Sequence, residues 1–227
     1  MKEHQLTGEP EVAKGLSRRK FFGLAGGLAG AGLILSATGC KNKDDNSGVY
    51  LGTGDTSILN YAYALEQLEA AFYTKVIASP YANMTTDEKA LLTDIRDHEI
   101  AHREFFKAAL GGSAIGALEV NFTSIDFNSR DKVLATAKAF EDLGVSAYNG
   151  AGKLISNAAY LTLAGKIVSV EARHAAFIRD LISNGTFANT EVVDTNGLEM
   201  SKTPPQVLAT ASAFLYTKIN ASGLPTS

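Results

Sequence analysis

The chain has 227 residues, a formal charge of −3, a single cysteine and no tryptophan. Such a length suits one domain with a proper core, and the richness in Ala, Leu, Ile and Phe with only 5 prolines favours helices over a sandwich or barrel. The charge, with no basic stripe, excludes nucleic acid as a partner, and the lone Cys40 excludes both an intrachain disulfide framework and a cysteine-based zinc site.

Residues 1–40 read as an export signal. A polar leader ends in Ser17-Arg18-Arg19-Lys20-Phe21-Phe22, and an apolar, Gly-rich stretch runs from Gly23 to Gly39. Paired arginines ahead of such a stretch resemble a twin-arginine signal. Ala37-Thr38-Gly39-Cys40 resembles a lipoprotein cleavage box, with Ala where Leu is more usual, and implies acylation of Cys40. An uncleaved anchor or a non-lipidated signal are the alternatives, but a spanning helix needs about 20 apolar residues and this stretch is short. The expectation is an exported protein, periplasmic or at the cell surface, held to the membrane by its N-terminal lipid. Residues 41–54, opening Lys41-Asn42-Lys43-Asp44-Asp45-Asn46-Ser47-Gly48, read as a flexible tether.

Four long helices follow. The first begins at Asp55-Thr56-Ser57, which offer N-caps, and runs to about Ser79 ahead of Pro80. Thr85-Thr86-Asp87-Glu88 has capping-box spacing and opens the second, which Gly111-Gly112 close. A connection of about eighteen residues, long for a simple turn, suggests a crossover along the bundle. The third helix spans roughly Ser129 to Asn157, and the fourth roughly Tyr160 to Ser183, with Asn184-Gly185 as its C-cap. Phe187 to Lys202 reads as a polar linker or loop. Thr203-Pro204-Pro205-Gln206 opens a short fifth helix, expected to end near Asn220.

Steps of three and four along each helix trace its buried stripe. The first gives Leu59, Ala62, Glu66, Glu69, Tyr73 and Val76, the second Leu92, Ile95, Glu99, His102, Phe106 and Ala109. The third gives Leu134, Ala137, Glu141, Gly144, Tyr148, Ala151 and Ile155, the fourth Ala164, Ile167, Glu171, His174, Ile178 and Leu181. Each stripe carries an acidic group in its middle. One such group could lie solvated at a stripe's edge. Four in register in one core would repel each other, and buried charges are paired or bind metal. Two divalent cations balance four carboxylates.

Spacing supports this. Glu99-Ile100-Ala101-His102 and Glu171-Ala172-Arg173-His174 both place Glu and His at i and i+3, one turn apart on one face. His98 lies beside the stripe, as a surface residue or a support for the ligands. The first two helices also align with the next two. Glu66 and Tyr73 fall on Glu141 and Tyr148, and Ile95, Glu99 and His102 on Ile167, Glu171 and His174. A repeated helical hairpin implies a pseudo-twofold axis and two facing half-sites.

A lone Glu from each of two helices with Glu-x-x-His from each of the other two is the ligand set of ferritin-like di-metal carboxylate bundles. Residues 55–185 resemble the bacterial ferritin-like domain proteins that are similar to plant desiccation-related proteins. The resemblance implies an all-α, antiparallel four-helix bundle, with residues 186–227 as linker and extra helix. It implies Glu66 and Glu141 as terminal ligands, Glu99 and Glu171 as bridging carboxylates, and His102 and His174 as imidazole ligands. Tyr73 and Tyr148 match tyrosines that hydrogen-bond to the opposite carboxylate and are candidates to relay an electron. Ordinary aromatic core is their alternative. Glu69, matched by Gly144, is a further ligand, a gate or a rim charge.

Mixed carboxylate and imidazole donors suit iron or manganese. The leading expectation is a di-iron site that oxidises Fe(II) with O2 or H2O2. The alternatives are a di-manganese site that disproportionates peroxide and a non-catalytic, stress-related metal-binding or structural bundle. A lipid on each chain sits badly with a closed storage shell, whereas a homodimer is compatible with it.

Overall fold

The computed structural model describes residues 47–226. The expected export signal, Cys40 and residues 41–46 of the expected tether lie outside the described residues. Strand β1 (Val49–Tyr50) precedes four long helices: α1 (Gly54–Ala78), α2 (Thr86–Leu110), α3 (Arg130–Gly152) and α4 (Ala158–Ile182). A short α5 (Pro204–Ala211) and strand β2 (Ile219–Asn220) complete the chain. Among the described residues no helix is long and apolar enough to cross a membrane.

The helices pack as two hairpins, α1 against α2 and α3 against α4. Local chemistry sets their ends. Thr85 accepts a hydrogen bond from the Glu88 N–H (3.1 Å), and Glu88 accepts one from the Thr85 N–H (3.2 Å), the reciprocal capping box the sequence predicts. At the opposite end, Asp55 in the first turn of α1 accepts from the N–H groups of Ser156 and Asn157, both at 2.8 Å. That carboxylate ties the α3–α4 turn to the start of α1.

The crossover between α2 and α3 runs the length of α1. Asn60 accepts from the Ile115 N–H (2.9 Å), and Gln67 accepts from the Leu118 N–H (2.9 Å). Further on, Phe122 and Phe127 pack their rings on Phe72, and the Ala82 N–H donates to Asn128 O. Every residue from Asn60 to Ala70 is consequently buried. A helix apolar on all sides needs cover on all sides, and the crossover provides the outer wall. Asn60 and Gln67 satisfy backbone groups that this wall would otherwise leave unpaired.

Residues 183–202 form an irregular loop anchored by Arg179, which is 1% exposed. Its guanidinium donates to Glu191 at 2.9 and 2.8 Å and lies 3.3 Å from Asp142. The Lys202 N–H then reaches Ser146 O (2.9 Å). That approach explains Gly150, where a Cβ would sit 1.8 Å from Lys202 O.

Several boundaries differ from the sequence reading. α3 stops at Gly152, not near Asn157, because the chain turns there through Leu154 N–H to Ala151 O. Asn157 instead caps α4, which starts at Ala158. The fifth helix ends at Ala211, well short of Asn220. The following residues pair with the crossover and with β1: the Asn121 N–H donates to Phe214 O, the Tyr216 N–H to Glu119 O, and Val49 is in parallel register with Ile219. Long-range pairing outweighs local helix propensity there. Residues 49–51, expected in the tether, belong to the folded domain instead: Val49–Tyr50 form β1 and Leu51 is fully buried. α5 packs on the bundle, with Val207 and Ala211 buried and Phe214 edge-on to Phe140 at 4.7 Å.

Candidate metal centre

Six side chains meet where the four long helices face one another. Glu66 comes from α1, Glu99 and His102 from α2, Glu141 from α3, and Glu171 and His174 from α4. All four glutamates are 0% exposed. Their donor atoms form two groups, Glu66 with Glu99, His102 and Glu171, and Glu141 with Glu99, Glu171 and His174. Within each group the donor atoms lie within 4.8 Å of one another. Glu99 and Glu171 belong to both.

The distances repeat across a pseudo-twofold axis. His102 Nδ1 lies 2.8 Å from Glu171 Oε1, 3.4 Å from Glu66 Oε2 and 3.9 Å from Glu99 Oε2. His174 Nδ1 lies 2.8 Å from Glu99 Oε1, 3.5 Å from Glu141 Oε2 and 3.9 Å from Glu171 Oε2. The i, i+3 pair is the longest contact in each set, so each imidazole leans toward the glutamate of the other Glu-x-x-His helix. Tyr73 donates to Glu141 Oε1 at 2.5 Å, and Tyr148 donates to Glu66 Oε1. Each tyrosine thereby fixes one oxygen of a terminal carboxylate and leaves the other facing inward.

The inward atoms have no hydrogen-bond partner. Glu66 Oε2, Glu141 Oε2, both oxygens of Glu99 and of Glu171, and Nδ1 of both histidines are buried without one. Native interiors rarely leave buried polar atoms unsatisfied, and a group of eight aimed at one place needs an occupant. The donor set fits divalent cations.

The electrostatics agree. Burial, then the neighbouring Glu171 and Glu66, raises Glu99 well above the usual carboxylate range. Burial and Glu66 lift Glu171 to about 7. Burial alone would lower His102, but the Glu171 and Glu66 carboxylates 2.8 and 3.4 Å from its Nδ1 outweigh it and carry the ring to about 10. His174 is raised against its burial by Glu141 and Glu171. Without a cation the cluster gathers protons, the expected response of crowded buried carboxylates.

Two asymmetries break the repeat. His98 Nδ1 lies 2.9 Å from His174 Nε2, with the rings stacked at 5.1 Å. The matching position on α4 is Val170, which has no ring nitrogen, and the His102 side chain stays 13% exposed. The sequence placed His98 beside the stripe without showing which histidine it meets. Glu69 joins neither donor group. Its carboxylate fills the gap left by Gly144, where a Cβ would lie 3.1 Å from Glu69 Oε1 and 3.6 Å from Glu171 Oε2.

Against known families, a model described as a ferritin-like domain matches residues 54–184, more than half of the chain. No curated protein matches it.

Proposed function

The chain belongs to the ferritin-like domain family, and from that premise we propose that it holds two divalent metal ions, iron by preference, and oxidises Fe(II) with dioxygen or peroxide. The observation that carries this reading is the pair of four-donor groups sharing Glu99 and Glu171. One position would be held by Glu66 and His102 and the other by Glu141 and His174, with Glu99 and Glu171 available to both. Carboxylate and imidazole donors without a thiolate suit iron or manganese. Bound there, the metal pair supplies redox chemistry toward dioxygen or peroxide.

The protein's own residues prepare the site. Full burial of the four glutamates keeps water out and strengthens each charge–charge interaction. Tyr73 and Tyr148 turn one oxygen of Glu141 and of Glu66 inward. His174 gives its Nε2 proton to His98 Nδ1, which leaves Nδ1 free toward the metal and fixes the ring. The export signal read in residues 1–40, acylated at Cys40, sets this activity outside the cytoplasm at a membrane surface.

The test is anaerobic Fe(II) loading followed by exposure to air. The protein is expected to oxidise Fe(II) faster than buffer, and Glu99→Ala to abolish the gain. Oxidation at the buffer rate in both overturns the reading.

A further inference from the structure

Four carboxylates with no solvent exposure pose a delivery problem, because a hydrated cation must shed its water to reach them. Glu69 is buried beside these groups and joins neither set of donors. It is 4% exposed, whereas Glu66, Glu99, Glu141 and Glu171 are at 0%. It lines a small cavity between α1 and α3, walled by Leu65, Leu68, Phe140, Leu143 and Gly144. On the inner side, its carboxylate and that of Glu171 border the same methyl-sized gap over Gly144.

Resting on the di-metal reading above, we propose that Glu69 and the Gly144 gap form the portal through which divalent cations reach the centre. The apolar walls suit this task. They have a low dielectric, so they focus the field of the carboxylates behind them outward along the opening. A cation arriving there exchanges hydration water for the Glu69 oxygens first. It then passes with the Glu69 carboxylate over Gly144, which has no side chain of its own, to Glu171. The portal also accounts for the mismatch of Glu69 with Gly144 in the α1–α3 repeat: the carboxylate on one helix needs the glycine on the other.

The test is uptake of Co(II) by the metal-free full chain, followed by stopped-flow visible absorption, with stoichiometry from a parallel titration. Wild type is expected to take up two Co(II). Glu69→Gln is expected to reach the same endpoint about tenfold more slowly. Gly144→Ala, which presses a methyl against the Glu69 carboxylate, slows uptake as well, and Glu69→Asp falls between Gln and wild type. Wild-type rates in Glu69→Gln overturn the portal while the di-metal centre stands. An endpoint of one Co(II) in that variant overturns it too, by making Glu69 a ligand. No uptake by wild type overturns the centre and the portal together.

Discussion

Tyr73 of α1 reaches across the bundle to hydrogen-bond the Glu141 carboxylate of α3, and the same bond recurs in reverse from Tyr148 of α3 to Glu66 of α1. Phenols beside a buried carboxylate are held in the protonated form: burial first, then Glu141, raises Tyr73, and burial first, then Glu66, raises Tyr148. Both therefore act as donors throughout the neutral range. Removing one hydroxyl strands a carboxylate oxygen, which costs roughly 1–3 kcal/mol. Tyr73→Phe is expected to weaken the metal position of Glu141, and Tyr148→Phe that of Glu66. Metal titration calorimetry of each variant checks this; equal weakening of both positions by either variant contradicts it.

Shared and unshared glutamates should behave differently. Glu99→Gln and Glu171→Gln each remove a donor from both groups and are expected to abolish loading of both ions. Glu66→Gln and Glu141→Gln touch one group each and are expected to leave one ion bound. Metal content after dialysis decides between these outcomes.

His98 supports only one of the two imidazoles. His98→Phe is expected to weaken the His174 position by about 10–100-fold and leave the His102 position unchanged. Competition of the loaded protein with a coloured chelator, read as two phases, measures the difference.

The metal-free protein is expected to lose stability as pH rises. Glu171, raised from 4.5 to about 7, keeps its proton in the folded chain where the unfolded chain has lost it. That contribution is complete below about pH 4.5 and falls away up to about 7. His102, raised from 6.5 to about 10, adds stability that is complete below about 6.5 and disappears toward 10. The groups titrate together, so one broad decline is expected. Metal binding displaces these protons and should reverse the slope. Melting temperatures of the metal-free and loaded protein at pH 5 and pH 9 test the sign.

Helical period and paired spacing were enough to read the interior of the bundle. Glu66, Glu99, His102, Glu141, Glu171 and His174 fall on apolar stripes, and apolar stripes are what helices bury. In the sequence the choice of Glu66 over Glu69 rests on the tyrosine spacing alone, because both share one face and the partner across the bundle is what separates them. The sequence reading gives α1 one buried stripe and not the burial of all its sides, because the outer cover, and what Asn60 and Gln67 bind, depends on the path of the crossover. The end of the fifth helix was misjudged because its competitor, the pairing of residues 214–220 with β1 and the crossover, joins segments about a hundred residues or more apart. Of the glycines in α3, Gly150 answers to the Lys202 backbone and Gly144 to Glu69, and neither neighbour is close in sequence.

The parallel pairing of Val49–Tyr50 with Ile219–Asn220 has a consequence for the order of assembly. A segment that leaves the ribosome near the start of the domain finds its mate only when residue 220 has been made. Until then Leu51 and the neighbouring end of α1 lack their cover. Closure of this domain thus waits on residues 219–220, and a chain stopped before residue 219 is left unclasped beside Leu51.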